Sequence, residues 1–161
     1  MYKIKLLILL LLSLTFASCT NQKKPNEIKL SVDYIGSEYD GYLLSNKLKG
    51  YLNNYGMLNN RSNYQIQASI SHVGDLFITN IDNTSDREKI ISTIELKIYN
   101  ETNKCFTFFY NESISQFYVL AASDRFSSNK LAVEEIKNSN TEYFVKNFIN
   151  SLGPDSLICN E

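Results

Sequence analysis

Much of what chemistry needs is scarce in this chain. It holds one histidine, His72, and three cysteines, Cys19, Cys105 and Cys159. Neither Cys105 nor Cys159 has a neighbour at a metal-ligand spacing, so no metal site is expected. There is no glycine-rich phosphate loop and no nucleophile motif. Acidic residues are scattered, and the adjacent pair Glu134-Glu135 would point apart on a helix. His72 with Asp75 could assist Ser69 or Ser71, but without a nucleophile motif a polar residue near a strand bend is the better reading. The expectation is a protein that is not an enzyme and carries no cofactor.

An excess of charge is lacking too. Sixteen Lys and Arg stand against 17 Asp and Glu, a formal net charge of −1. Loss of Lys3 and Lys5 with a leader would take this to about −3, so no nucleic-acid partner is expected. Tryptophan is absent, yet 11 Tyr and 9 Phe supply core volume. No internal repeat or domain linker appears, which suits a single domain. The apolar run Leu6 to Leu14 is shorter than the ~20 residues of a membrane-spanning helix.

That run is organised instead as a targeting signal. Lys3 and Lys5 precede it, and Thr15-Phe16-Ala17-Ser18-Cys19 follows, with two small residues just before a cysteine. A plain signal peptide ends in spaced small residues. The small pair followed directly by cysteine resembles a bacterial lipobox, with Phe16 where Leu or Val is usual. The resemblance implies that residues 1–18 are a lipoprotein signal peptide, removed as Cys19 receives diacylglycerol and its new amino group is acylated. Each buried methylene contributes about 0.8 kcal/mol, so two or three chains anchor a protein durably. A permanent transmembrane anchor, or a secreted chain with Cys19 free, are the competing readings. Thr20 stands where an Asp would imply inner-membrane retention in enterobacterial lipoproteins. The expected location is therefore the periplasmic face of the outer membrane. N-x-S/T triplets such as Asn60-Arg61-Ser62 read as compositional chance in that setting.

An oxidising periplasm lets disulfides persist. A Cys105–Cys159 bridge would close a loop of about 55 residues and contribute about 4 kcal/mol in the chain-entropy model. The other possibility is two unpaired thiols, one in a strand and one on the tail.

Beyond Cys19, residues 19–27 are polar and aperiodic, a lipidated tether. Ile28, Leu30, Val32 and Tyr34 alternate with polar residues, a half-buried strand over 28–35. Ser37 and Asp40 then resemble a capping box, and Leu44, Leu48, Tyr51, Leu52 and Tyr55 form one helical stripe that Gly56 stops. Tyr64, Ile66, Ala68 and Ile70 mark a second strand that continues past Gly74 through Leu76 and Ile78. Asn80 to Asp86 is a turn. Ile90, Ile94, Leu96 and Ile98 give the third strand its inner face. A loop at 100–104 leads into a fourth strand from Cys105 to about Leu120. After a connection at 121–128, Leu131, Val133, Ile136, Tyr143, Phe144, Phe148 and Leu152 give a closing helix its apolar side, ended by Gly153-Pro154. Residues 153–161 form a tail. The order strand-helix-strand-strand-strand-helix predicts an α+β fold over 28–152. It is a two-layer sandwich whose mainly antiparallel four-stranded sheet is covered on one face by two helices.

The other sheet face carries the candidate site. Arg87, Lys89 and Lys97 share one parity on the third strand, and Lys29 has the same parity on the first. If alternation holds, Ile35, Ile91, Tyr99, Phe109 and Phe117 join them. Such a face is either ordinary solvated surface or a site for an anionic headgroup or acidic protein.

The chain as a whole resembles LptE, the lipopolysaccharide-assembly lipoprotein family. The resemblance rests on the lipobox and tether and on the element order. It is most specific in the hairpin Ile94-Glu95-Leu96-Lys97-Ile98-Tyr99 with Cys105-Phe106-Thr107-Phe108. Ser123-Asp124-Arg125-Phe126-Ser127-Ser128 and the helix opening Leu131-Ala132-Val133-Glu134-Glu135 then follow. The resemblance implies an outer-membrane protein that plugs the lumen of the LptD β-barrel translocon, helps it assemble and binds lipopolysaccharide without covalent chemistry. Lys29, Arg87, Lys89 and Lys97 are the expected lipopolysaccharide- or partner-binding residues. The runner-up is a periplasm-facing lipoprotein module for another envelope partner, such as a lipid-transport auxiliary subunit. A hydrolase with an unrecognised site comes third.

Overall fold

A computed structural model describes residues 28–33, 35–36, 38–77, 87–119 and 126–159. The expected signal peptide, Cys19, the tether and the turn over 80–86 lie outside the described residues. Alternation along three long strands sets the architecture. β1 (Ser31–Val32), β2 (Tyr64–Phe77), β3 (Arg87–Asn100) and β4 (Cys105–Val119) form one sheet in the order β1-β2-β3-β4. β2, β3 and β4 pair antiparallel, as expected of sequential strands. β1 pairs parallel to β2, because helix α1 (Glu38–Asn54) carries the chain back before β2 begins. The sheet is therefore mixed. β1 is also shorter than the alternation suggested: among the described residues Ser31 and Val32 join the ladder, with a further bridge between Leu30 and Leu58.

Even-numbered residues of β2 and β3 point to one face, and the two helices cover it. α1 packs on β2, while α2 (Phe126–Ser151) lies across both β3 and β4. Between the layers Leu44, Leu48 and Leu52 of α1 meet Ile66, Ile94, Leu96, Ile98, Phe144 and Phe148, all with no exposed surface. Each such side chain contributes about 1.5–3 kcal/mol over its exposed state. Ile35, expected on the other face, is only 5% exposed within this core. A strand of two residues has ended before position 35, so strand parity does not govern it.

α1 ends as its sequence dictates. Gly56 takes a φ of +66°, the left-handed geometry that favours glycine. Gly56 N–H donates to the Asn53 carbonyl and Met57 N–H to that of Leu52, a Schellman ending whose Leu52 and Met57 side chains are both buried. At the other end Gly41 is required for space. A Cβ there would lie 2.5 Å from the Gly36 carbonyl oxygen, so the first turn rests directly on the incoming backbone.

α2 begins earlier than the apolar pattern suggested, and its buried side is shifted. Phe144, Val145, Phe148 and Ile149 fill the core, whereas Leu131 is 65% exposed and Tyr143 faces solvent. Ionic and polar contacts hold the helices to each other. Glu142 accepts from Lys47 Nζ at 2.8 Å and from the Tyr51 hydroxyl at 2.7 Å, and pairs with Lys146 at 2.8 Å. These donors, led by Lys146 and then Lys47, hold its carboxyl down at about 2. Lys137 reaches Asp40 at 3.3 Å. After α2 the tail is not loose. A short 3-10 turn, Pro154–Leu157, buries Ser156 and packs Leu157 against the core. Cys105 and Cys159 are joined by a disulfide with their Cα atoms 5.9 Å apart, fastening the end of the chain to the start of β4.

Candidate functional site

The odd-numbered face of β2, β3 and β4 has no covering element among the described residues. Its character changes along its length. At one end β3 places Lys97 opposite Phe109 and Tyr99 opposite Phe106. The Lys97 ammonium stands 5.9 Å from the centre of each Phe106 and Phe109 ring and 2.5 Å from Glu95 Oε1. Tyr99 and Phe106 meet edge-on at 5.2 Å, and Phe106 lies 5.5 Å from Phe109. Each exposed cation–π contact contributes about 0.5–1 kcal/mol. The result is an ammonium held in an aromatic nest, with one carboxylate alongside.

A bulge makes this nest. Ile98 pairs with Phe108 and Tyr99 with Phe106, which leaves Thr107 as the extra residue. Thr107 is buried, and its hydroxyl donates to the Ile98 carbonyl at 3.4 Å. Before the bulge Phe106 turns to the open face, and after it Phe109 does. Strict alternation therefore missed Phe106. The run Phe106-Thr107-Phe108-Phe109, which fits neither parity, was the available signal.

The middle of the face is a floor of short polar side chains: Ser69 and Ser71 on β2, Thr93 on β3, Asn111, Ser113 and Ser115 on β4. Thr93 and Ser113 hydroxyls meet at 3.0 Å. At the far end Lys89 is in register with Asp75 and Phe117, and Arg87 with Val119. Phe109, Phe117, Val73 and Val119 are all more than half exposed. Eight residues of strand separate Lys97 from Lys89, roughly 27 Å.

The four expected cations thus do not form one cluster. Lys97 and the pair Arg87 and Lys89 mark opposite ends of the same face. Lys29 belongs to neither, because its ammonium donates to the Gly56 carbonyl at 2.6 Å and closes the end of α1.

The histidine is equally separate. His72 lies on the helix-covered face, opposite in direction to Asp75, Ser69 and Ser71, so the conceivable His72–Asp75 arrangement is not formed. Its Nδ1 meets Ser92 Oγ at 2.7 Å, and Asn140 Nδ2 donates to the same oxygen at 2.8 Å. Burial, opposed by Asp40 and reinforced by Lys137, pushes the imidazole pKa below its ordinary value of 6.5. Ser92 has no exposed surface. The trio is a polar joint between sheet and α2. Among the described residues no group of His, Cys, Asp and Glu could hold a metal ion. No described helix is long and apolar enough to cross a membrane.

A groove of about 490 Å³ opens where α1 and α2 begin, over the end of the sheet. Its walls carry Tyr39, Tyr118 and Val133, and its charges meet partners: Glu88 accepts from the Tyr118 hydroxyl, and Lys137 reaches Asp40.

These features define a class: a small α+β domain in which two helices cover one face of a four-stranded sheet. Solved bacterial lipoproteins have a similar fold. Rare lipoprotein B from Shewanella oneidensis matches with 11% identity over 77% of this chain and 94% of that one, at a TM-score of 0.54. Lipoprotein B from Nitrosomonas europaea matches with 9% identity over 83% and 91%, at 0.56. A minor lipoprotein from Acinetobacter baumannii shows 17% identity over 74% and 93%, at 0.50. At these identities the likeness is one of fold. No protein-family model matches the chain, and neither does any curated protein.

Proposed function

We propose that this chain is an LptE-like lipoprotein of the outer membrane. It is anchored through acyl chains on Cys19 and acts as a non-catalytic plug and assembly partner of an LptD-like β-barrel that inserts lipopolysaccharide. The observation that carries the reading is the open sheet face, polar at its centre, with aromatic and cationic side chains at both ends. A floor of hydroxyls and amides suits the polar wall of a barrel lumen. Lysine and arginine can hold phosphates by charge-assisted hydrogen bonds, and exposed phenylalanines add apolar contact. The fold shared with rare lipoprotein B, which is LptE, supports the same reading, as does the lipobox-like approach to Cys19. The work required is binding and positioning, so no side chain is assigned a covalent step.

Three measurements test it. Mass spectrometry of the mature N-terminus is expected to find acylated Cys19; a free amino terminus at another residue would refute the anchor. Affinity purification from outer membranes is expected to bring down a large β-barrel protein, and absence of any barrel overturns the assignment. Charge reversal at Arg87, Lys89 and Lys97 together should weaken lipopolysaccharide binding while the fold survives. Unchanged binding would remove these cations from the site and leave the barrel reading standing.

A further inference from the structure

Among the described residues β4 is the outermost strand of the sheet; the C-terminal 3-10 turn and the Cys105–Cys159 disulfide lie against its start, and the rest lacks the features that usually keep sheet edges apart. Natural edges are short, or carry lysine or proline. The opposite edge, β1, follows that rule with two residues. β4 runs for 15 residues with no lysine, arginine or proline, and Glu112 is its one charge. Its bulge lies near its start, which leaves the stretch from Phe108 onward regular.

On the open face the order of side chains along that stretch is close to palindromic about Ser113. Asn111 mirrors Ser115, and Phe109 mirrors Phe117. An antiparallel second β4 laid against this edge, with Ser113 on the two-fold axis, would set Phe109 of each copy beside Phe117 of the other. Those two side chains are 56% and 53% exposed in the single chain. Aromatic cross-strand pairs of this kind stabilise sheets. Glu112 would meet Ile114 rather than its own copy, so no like charges oppose. The offset preserves parity, so both open faces and both helical layers would fall on matching sides.

The helical layer fits the same operation. α2 contacts both β3 and β4, so it stands over the gap between them. One added strand spacing would bring the two α2 axes to about 10 Å, the ordinary distance for packed helices. The flank of α2 that would meet its copy carries Ala132, Glu135, Ile136 and Ser139. Between that flank and Gln116 lies a groove of about 270 Å³, beside the β4 edge.

We propose that two copies of this chain pair antiparallel through β4, centred on Ser113, to make one continuous sheet. This does not rest on the barrel reading, and its failure would leave that reading untouched. In the full-length chain in its native membrane, Ser113→Cys should give, on mild oxidation, a disulfide-linked band of twice the chain mass that reducing agent returns to the single-chain band. Ser115→Cys should stay unlinked, because its neighbour across the axis is Asn111. Adding Asn111→Cys to Ser115→Cys should restore the linked band. Ser113→Lys would set two ammonium groups opposite each other, and in detergent it should sediment at half the mass of the unsubstituted chain with an unchanged circular dichroism spectrum. A Ser113→Cys chain that stays unlinked would overturn the proposal. So would equal linking at Ser113 and Ser115 alone, or a Ser113→Lys chain that sediments like the unsubstituted one.

Discussion

The two faces of one sheet are built from the same three strands and differ in almost everything else. The even face buries Ile66, Ile94, Leu96 and Ile98 beneath two helices. The odd face keeps serines, threonine and asparagine at its centre and exposes Phe109 and Phe117 at its ends. Even the charges divide this way. On the helical side carboxylates and ammoniums join elements, as Glu142 and Asp40 do for α1 and α2. On the open side Lys97 is seated among rings of its own sheet and joins nothing to the domain. One face therefore holds the fold together, and the other has no covering element among the described residues. Period-2 alternation lets a single strand serve both purposes, because neighbouring residues never compete for the same side.

The largest expected effect comes from the covered face. Phe148 packs against Phe108 at 6.0 Å and Tyr110 at 5.8 Å, with no exposed surface. Phe148→Ala should cost ~3–5 kcal/mol and Leu48→Ala ~2–5 kcal/mol in denaturant unfolding. Next is the disulfide. Replacing Cys105 and Cys159 with serine together should cost ~2–4 kcal/mol, read as a lowered midpoint that reducing agent reproduces in the unsubstituted chain. On the open face Phe109→Ala should change stability by less than ~1 kcal/mol, since the ring is more than half exposed and its removal leaves no cavity. If Phe109→Ala is as damaging as Phe148→Ala, the division between the faces is wrong.

The smallest effect is confined to acid. Glu142 is held at about 2 in the folded chain against an ordinary 4.5. A carboxyl lowered by folding stabilises above its unfolded value, and that contribution is lost as pH falls from about 4.5 toward 2. Glu142→Gln should therefore flatten the pH dependence of stability in that window. His72 acts in the same direction higher up: its lowered pKa means that stability declines as pH falls below about 6.5. A profile for Glu142→Gln that parallels the unsubstituted chain from 4.5 to 2 would show that the ion pairs of α1 and α2 do not persist in solution.

Local signals in the sequence were read most faithfully. The stripe Leu44, Leu48 and Leu52 and the stop at Gly56 depend on a few consecutive residues, and the structure has both. The parity of β3 survives over its whole length because every other residue must enter a closed core. What was not legible depends on partners distant in sequence. The bulge at Thr107 is a negotiation between β3 and β4, so nothing within β4 alone fixes which phenylalanine turns outward. Ile35 is buried because β1 stops early, and β1 stops early because α1 must begin against the Gly36 carbonyl, where only Gly41 leaves room. Lys29 shares a parity with the cations of β3, yet Gly56 lies close enough to claim its ammonium. Leu131 fits the expected stripe yet turns to solvent, while its neighbours Ala132 and Val133 line grooves with Gln116 and Tyr118 of β4. In each case hydrophobicity and parity were right about the element and silent about where its neighbour ends.

On the proposed reading the open face docks on the partner and the helical face does not. Site-specific photo-cross-linking in intact cells tests this most directly, with the probe at Phe109, at Phe117, and at Tyr42 on the outside of α1, which is 66% exposed. The account predicts an adduct the size of a large β-barrel protein from Phe109 and Phe117 and none from Tyr42. Adducts from Tyr42 with silence at both phenylalanines, or silence at all three, would contradict it.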